Sequence, residues 1–332
     1  MKDRLYKIDN LKFILILLVV FGHFIELTNY INITKSLFVF IYSFHMPLFI
    51  FISGLFSKKI LSVKEYPYKK ILFYIYLIFF MKISVFSIHS LFNADTSFSI
   101  FGGTGYYWYL GVIIIYTLLI PFIEKTNKNI LLIFSIVLGI FAGYDSNIPQ
   151  ILFLGRIFSF FPFFLSGYIL KDEKEKIINF LNKKQVKYLS ITLLIEILVF
   201  MIIFINYFNN YRMVFTSTMP YSLMVTDDGF YITYKIKIIA YIITLIASLS
   251  VFSLSPNKKI KYISTMGSKT LPIYVLHMPI LSLMKDIGLI SLIWSTFKQY
   301  SIIIYFILSI IIVIILSDKH IENLFIKIKN IV

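Results

Sequence analysis

Apolar runs about as long as a bilayer is thick recur along the whole of this 332-residue chain. A helix needs roughly 20 apolar residues to cross a hydrocarbon core of ~30 Å, and spanning helices satisfy their own backbone polar groups. Ten runs cover residues 12–28, 36–56, 71–91, 106–123, 130–143, 151–170, 188–208, 238–255, 268–287 and 299–316. We therefore predict an all-α integral membrane protein, a polytopic bundle of about ten transmembrane helices.

Composition supports this class and excludes several others. Of all residues, 59% are apolar and 14% are charged, whereas soluble domains carry about 25% charged residues. This balance excludes a soluble globular protein, a disordered chain and a DNA-binding domain. The net charge of +16 comes from short basic clusters between the apolar runs, which suit membrane lipids as partners and not nucleic acid.

The absence of cysteine from the chain excludes disulfides, thiolate catalysis and thiolate metal sites. We expect no metal and no resident cofactor. The apolar runs leave only short tails and loops, so we predict a single transmembrane domain over residues 1–332. Any chemistry must then lie inside the helix bundle or at its two faces.

The distribution of basic residues predicts the orientation, because cytoplasmic loops of membrane proteins are enriched in Lys and Arg. With a cytoplasmic N-terminus, 24 of the 32 Lys and Arg residues fall in inner segments. We therefore predict an N-in, C-in, multi-pass protein of the cell membrane. The longest outer segment, residues 209–234, contains Pro220 and Asp227-Asp228-Gly229. It forms either a lid or a solvated loop.

Seven ionisable residues lie inside the apolar runs, where such residues are rare, costly and functional candidates by default. They are His23, Glu26, His45, Lys82, Arg156, Glu196 and His277. Buried charges need partners. Comparable depth suggests a structural ion pair between Lys82 and Glu196, and a second one between Glu26 and Arg156.

A stripe of polar groups runs along the first helix. His23 follows Lys12 by 11 residues, so the two project from nearly the same face roughly 16 Å apart. Glu26 is three residues beyond His23 and is its neighbour on the helix surface. The stripe predicts a catalytic imidazole oriented by a carboxylate. The alternative is a snorkelling lysine, a packed histidine and a glutamate paired to a cation.

Two further histidines occur in similar heptapeptides. Residues 41–47 read IYSFHMP and residues 273–279 read IYVLHMP. Chance is the favoured explanation, with an inverted repeat as the alternative. His45 stands two residues before a proline, which removes a backbone hydrogen bond and can kink the helix. We expect His45 and His277 either to line a cavity or to satisfy freed backbone groups.

A glycine-rich turn, Gly102-Gly103-Thr104-Gly105, leads into an aromatic cluster that contains Trp108. Its spacing resembles no phosphate-binding fingerprint. Trp108 belongs either to an interfacial aromatic belt or to a sugar-stacking surface. Lys69 and Lys70, at the inner end of the third run, suit a topology signal, a lipid contact or a polyanionic ligand.

Several stretches in sequence order carry a resemblance to a known family. They are residues 9–24 with Lys12 and His23, Phe44-His45-Met46-Pro47-Leu48-Phe49, Phe51-Ile52-Ser53-Gly54, Trp108-Tyr109-Leu110, residues 161–168, and Ile273-Tyr274-Val275-Leu276-His277. Together they resemble the acyltransferase family 3 membrane proteins, most closely the fucose 4-O-acetylase-like group. The resemblance extends from about residue 5 to residue 316, nearly the whole chain.

The resemblance implies transfer of an acyl group, commonly acetyl from acetyl-CoA, to a hydroxyl of a surface carbohydrate. The family marker is a basic residue, usually arginine, then ten residues, then histidine; here the pair is Lys12 and His23. Lysine lacks the two-pronged phosphate contact of arginine. A second basic pair of the family is matched by Lys69 and Lys70.

We therefore expect a membrane O-acyltransferase with acyl-CoA as co-substrate and a cell-surface or lipid-linked carbohydrate as acceptor. Donor phosphates are expected to bind three lysines: Lys12, Lys69 and Lys70. Two residues are expected to be catalytic: His23 and Glu26. Four are expected to line the acceptor cavity: His45, Trp108, Arg156 and His277. A transporter or flippase for a lipid-linked sugar fits the composition equally well, and a structural subunit of a polysaccharide-assembly complex is the third possibility.

Overall fold

The structure, a computed structural model, describes residues 5–28, 31–93, 98, 105–148, 153–205, 212–224 and 233–331. These residues form helices and connecting turns, with no strand among them. The α-helices are α1 (Tyr6–Glu26), α2 (Asn32–Leu55), α3 (Tyr68–Phe92), α4 (Trp108–Lys125), α5 (Lys128–Phe141), α6 (Leu154–Ile169), α7 (Lys174–Leu181), α8 (Lys184–Ile203), α9 (Arg212–Thr216), α10 (Tyr234–Leu254), α11 (Lys261–Ser268), α12 (Thr270–Asp286), α13 (Leu289–Phe297), α14 (Ser301–Leu316) and α15 (Lys319–Ile331).

Each of the ten predicted apolar runs forms a helix. Seven helical stretches are long and apolar enough to cross a membrane: α1, α2, α3, α4, α8, α10 and the stretch Leu289–Leu316 that contains α13 and α14. The remaining runs form the shorter helices α5, α6 and α12, of 14, 16 and 17 residues. These three reach roughly 21 to 26 Å. The protein is thus a helical membrane protein, and the total of ten crossings stays a prediction.

The first two helices form the centre of the bundle. Within their most apolar stretches, 67% of α1 and 72% of α2 is buried, against 17% of α3 and 11% of α8. α1 packs against α2, α11, α12 and α14, and α2 packs against α6, α8 and α10. Polar groups on α1 and α2 therefore lie inside protein, whereas α3 and α8 turn most of their surface outward.

α1 begins at Tyr6, six residues before the predicted apolar run, because its polar first turns are buried against partners. Lys7 is completely buried. Its Nζ donates to the carbonyls of Ser253 and Ser255 at 2.8 Å each and to Asn182 Oδ1 at 3.1 Å. The two carbonyls stand at the end of α10, where a helix leaves acceptors unpaired and carries partial negative charge. Lys7 is therefore a buried cap on α10 and not a loop charge.

Asn10 fixes the same end of α1 to the turn after α10. Its Nδ2 donates to the carbonyls of Pro256 at 2.8 Å and Lys258 at 2.9 Å, and its Oδ1 accepts from the Ser264 hydroxyl at 2.7 Å. Gly267 of α11 lies so close that a Cβ there would meet the backbone oxygen of Asp9 at 1.8 Å. The start of α1 is thereby held rigidly.

α2 and α6 touch backbone to backbone through two glycines. A Cβ on Gly54 would meet the Phe164 carbonyl oxygen at 2.1 Å, and a Cβ on Gly167 would meet the Phe51 oxygen at 2.1 Å. The contact is reciprocal, and only glycine allows it. Such close approach through small residues is the usual way in which membrane helices associate. Two of the family-like motifs, those with Ser53-Gly54 and Ser166-Gly167, thus have a packing role.

Replacing Gly167 by alanine should separate α2 from α6, because the added methyl overlaps backbone that has no alternative position. We expect a loss of about 1–3 kcal/mol of stability, the usual cost of overpacking. The measurement is the thermal unfolding midpoint of the purified protein in detergent. Ser166→Ala, on the neighbouring residue, is the control and should unfold near the parent temperature. An unchanged midpoint for Gly167→Ala would contradict the described contact.

Candidate active site

His23 and Glu26 form a hydrogen-bonded pair near the end of α1. His23 Nδ1 lies 2.9 Å from Glu26 Oε2, and the Tyr42 hydroxyl donates to the same carboxylate oxygen at 3.3 Å. A carboxylate partner fixes the Nδ1–H tautomer. His23 Nε2 is then left as the nitrogen with a free lone pair, which is what a general base needs. Tyr42 was not expected from the sequence.

A pocket of about 30 Å³ adjoins the imidazole of His23. Its wall combines residues from α1, α2, α6, α9, α12 and the start of α4. The lining residues include His23, Tyr42, His45, Trp108, Arg156, Phe215, Thr216 and Tyr274. Three of the four residues expected at the acceptor cavity are therefore brought together there: His45, Trp108 and Arg156. The volume has room for a hydroxyl group and not for a sugar ring.

The two related heptapeptides have the same local structure. His45 Nδ1 donates to the Ile41 carbonyl at 2.7 Å, and His277 Nδ1 donates to the Ile273 carbonyl at 3.0 Å. In both cases the acceptor is the carbonyl four residues earlier, not the one that the following proline frees. In the neutral form of each ring, this contact leaves Nε2 as the acceptor.

His277 packs against the side of the His23 imidazole. Its ring stacks on that of His23 with centroids 5.4 Å apart and planes 27° apart. The side chain is buried, and its Nε2 has no hydrogen-bond partner among the described residues. Tyr106 packs edge-on against His23 at 5.0 Å. His23 therefore lies between aromatic rings that limit its movement.

Arg156 projects from α6 towards the same pocket. Its guanidinium carbon lies 4.6 Å over the Trp108 ring, which also stacks on Phe160. Arg156 Nε donates to the Thr216 carbonyl at 3.3 Å, and its charge interacts with that of Glu26. In the structure, the indole of Trp108 packs against α6 and supports the guanidinium.

Part of the long segment between α8 and α10 covers this pocket. Phe215 and Thr216, at the end of α9, line it. The buried Lys237 of α10 donates to the Val214 carbonyl and to the Ser217 hydroxyl, both at 2.8 Å. The residues of α9 thus form a roof over the pocket, held from α6 and α10, and a lid function of this segment stays a prediction. Asp227-Asp228-Gly229 lies outside the described residues, as does Gly102-Gly103-Thr104.

A larger cavity, of about 260 Å³, lies at the Lys12 end of α1. Lys12 and Lys70 both line it, whereas Lys69, which is exposed like Lys70, does not. Lys12 Nζ forms an ion pair with Asp9 at 3.3 Å. Ser53 and Tyr109 add a hydrogen-bonded pair of hydroxyls to the wall.

The two cavities share a wall. Val19, Met46 and Tyr274 line both of them. On α1, the lining residues are Lys12, Ile16, Val19 and His23. Their steps of three and four residues place them on one helix face. The structure therefore places Lys12 and His23 on a common stripe that leads from the larger cavity to the smaller pocket.

A second basic cluster lies just beyond the C-terminal end of α2. The Glu124 carboxylate is surrounded by Lys59 at 3.5 Å, Lys128 at 3.5 Å and Lys171 at 3.7 Å, and it accepts from the Tyr168 hydroxyl. Burial lowers the pKa of Lys171. One carboxylate cannot balance three amines, so this end of the bundle keeps a positive potential.

The expected ion pair of Lys82 and Glu196 does not form. Lys82 Nζ lies 4.7 Å over the ring of Tyr107, and Glu196 is exposed on α8. α3 and α8 lie apart, with α3 on α4 and α12 and α8 on α2 and α10. The ion pair predicted from equal depth in the membrane is therefore wrong, because depth carries no information on which helices are neighbours.

These features define a class: a helical membrane protein with an oriented imidazole between a basic cavity and a small polar pocket. That is the arrangement of an acid–base enzyme. The chain belongs to acyltransferase family 3, since the family model for this acyltransferase domain matches residues 5–318. No curated protein and no solved structure matches it. The protein is therefore a membrane acyltransferase.

Removing the Lys237 amine should loosen the roof over the pocket. Lys237→Met keeps the length of the side chain but loses both hydrogen bonds to the 214–217 turn, each made by a charged donor. We expect amide hydrogen exchange across residues 212–224 to become faster by about tenfold or more. Lys235→Met, at an exposed position two residues earlier on α10, is the control. Equal exchange in the two variants would show that Lys237 does not hold the roof.

Proposed function

We propose that this protein is a membrane O-acyltransferase that moves an acyl group, commonly acetyl, from cytoplasmic acyl-CoA to a carbohydrate hydroxyl. The observation that supports it is the wall shared by the basic cavity and the His23 pocket. An acyl-CoA donor in the basic cavity and an acceptor hydroxyl in the smaller pocket therefore meet at the imidazole of His23. The proposal includes the N-in, C-in orientation, which turns the Lys12 end towards the cytoplasm, where acyl-CoA is available.

The donor phosphates bind at the mouth of the basic cavity. Lys70 and Lys12 line the cavity, and Lys69 adds charge outside it. Asp9 offsets part of the Lys12 charge, so Lys70 contributes more to phosphate binding. A volume of about 260 Å³ suits the narrow pantetheine arm and leaves the nucleotide at the surface. The arm then extends along α1 past Val19 towards His23.

The chemistry follows from the His23–Glu26 pair. As the acceptor oxygen attacks the thioester carbonyl, His23 Nε2 takes its proton, and Glu26 stabilises the imidazolium. The carbon–sulfur bond then breaks, and the leaving CoA sulfur receives that proton. Arg156 is the cation placed to stabilise the negative oxygen of the intermediate. An alternative route with the same residues is transient acylation of Nε2, followed by transfer to the acceptor.

The acceptor is a cell-surface or lipid-linked carbohydrate, as in the fucose 4-O-acetylase-like group that the sequence resembles. Only one hydroxyl group fits the pocket of about 30 Å³, with His45 Nε2 as a second acceptor beside the base. A sugar ring needs more room. We therefore assign α9 the function of a movable roof, which shifts when the acceptor enters from the side opposite Lys12.

Loss of the imidazole should stop the reaction. His23→Ala should reduce acyl transfer by about 10²–10⁴-fold, the usual contribution of a general base, while thermal stability stays near that of the parent. His45→Ala and His277→Ala should have smaller effects. The assay is transfer of acetyl from acetyl-CoA by purified protein in detergent, with surface-glycan acceptor. No gradient exists there, so turnover also excludes the transporter alternative. Near-normal transfer by His23→Ala would remove the base from this mechanism.

The affinity for acetyl-CoA should depend more on the lysines that line the cavity than on the lysine outside it. Lys70→Gln should weaken acetyl-CoA binding by about tenfold, because it removes a charged contact to phosphate. Lys12→Arg should bind at least as tightly, since guanidinium contacts phosphate through two donors. Lys69→Gln is the matched control and should change affinity less. Titration calorimetry gives the three dissociation constants, and a larger loss for Lys69→Gln than for Lys70→Gln would contradict the assigned donor site.

A further inference from the structure

The helix α15 lies beside the basic cavity. It packs against α3 and α12, and the first turns of both of these helices line that cavity. Lys269, the residue before α12, forms an ion pair with Glu322 of α15 at 2.9 Å and donates to the Ser317 carbonyl at 3.2 Å. The beginning of α15 is therefore held against the helices that form the cavity wall.

One face of α15 is turned towards α3. Glu322, Phe325 and Lys329 follow one another at steps of three and four residues, so they share a helix face. Phe325 is buried and packs edge-on against Phe73 of α3, with ring centroids 6.5 Å apart. Lys329 therefore projects on the α3 side of the helix, whereas Lys327 projects from nearly the opposite side, about 160° away.

This contact brings two amines together. Lys70 lies one turn before the aromatic contact on α3, and Lys329 lies one turn after it on α15. The charge of Lys329 interacts with that of Lys70. α3 contains no acidic residue, and the one acidic residue of α15, Glu322, binds Lys269. Like charges held together in this way attract an anion, which removes their repulsion.

Acyl-CoA, the donor proposed above, has phosphates at two places. A diphosphate joins the pantetheine arm to the nucleotide, and a further phosphate stands on the 3′ position of the ribose. With the arm in the cavity, the diphosphate lies at Lys70, whose amine is 5.3 Å from the centre of the Tyr74 ring in the same wall. The ribose then lies outside the cavity. Lys329 is exposed and is not part of the wall, so it stands on the ribose side of Lys70.

We propose that Lys329 binds the 3′-phosphate of the acyl-CoA donor. This inference rests on the proposed function, since it takes acyl-CoA as the donor, and it adds a residue that determines donor specificity. Thioesters of pantetheine phosphate have the same reactive end as acyl-CoA but no 3′-phosphate. α15 thus lets the enzyme distinguish acyl-CoA from such donors.

The experiment compares acetyl-CoA with acetyl-3′-dephospho-CoA, and titration calorimetry on the purified protein in detergent gives both dissociation constants. The parent should bind acetyl-CoA about fivefold more tightly, the contribution of a good exposed charge pair. Lys329→Gln should weaken acetyl-CoA binding alone and make the two affinities equal. Lys329→Arg should keep the preference, because guanidinium also binds phosphate.

Lys327→Gln is the matched control, because it removes the same charge from the same helix at an exposed position on the other side. It should keep the preference of the parent. Three results overturn the proposal but leave the donor site in place: equal affinities of the parent for the two compounds, an equal loss for both in Lys329→Gln, or loss of the preference in Lys327→Gln. A parent protein that binds neither compound overturns the acyl-CoA donor itself.

Discussion

The bilayer offers no water to a polar group, and this constraint organises the bundle. Three polar side chains inside the bundle show how the protein itself satisfies such groups. Lys7 caps the end of α10, His23 is held by Glu26, and Lys237 binds the turn after α9. The same contacts that satisfy these groups also fix the positions of helices around the pocket. The hydrogen bonds that satisfy buried polar groups therefore also orient the side chains around the pocket.

The glycine contact of α2 and α6 gives the pocket its dimensions. α2 contributes Tyr42 and His45, and α6 contributes Arg156. Because Gly54 and Gly167 bring the two backbones into contact, the side chains farther along the two helices can line the same pocket. Small residues in one part of a helix pair thus help to set the dimensions of a pocket in another part.

Local periodicity predicted much of the fold and part of the site. Apolar runs locate helices because each helix satisfies its own backbone, and an 11-residue spacing places Lys12 and His23 on one face in any helix. Long-range contacts, by contrast, cannot be predicted from local periodicity. Nothing local marks Lys7 as a cap on α10, or Phe215 as part of a roof. The two similar heptapeptides contain a usable signal for the pocket, since they include Tyr42 and Tyr274. From the sequence alone, however, chance is the favoured explanation of their similarity.

The anchoring of α1 has a consequence for how the protein is made. Lys7 and Asn10 bind carbonyls that follow 246 residues later in the chain, long after the first helix has left the ribosome. Until α10 and the turn after it are synthesised, the first turns of α1 contain a cation and an amide without their native partners. The native anchoring of α1 is therefore complete only after most of the chain has been synthesised. The wall of the basic cavity, which includes Thr270, Leu271 and Tyr274, is complete only once α12 has followed.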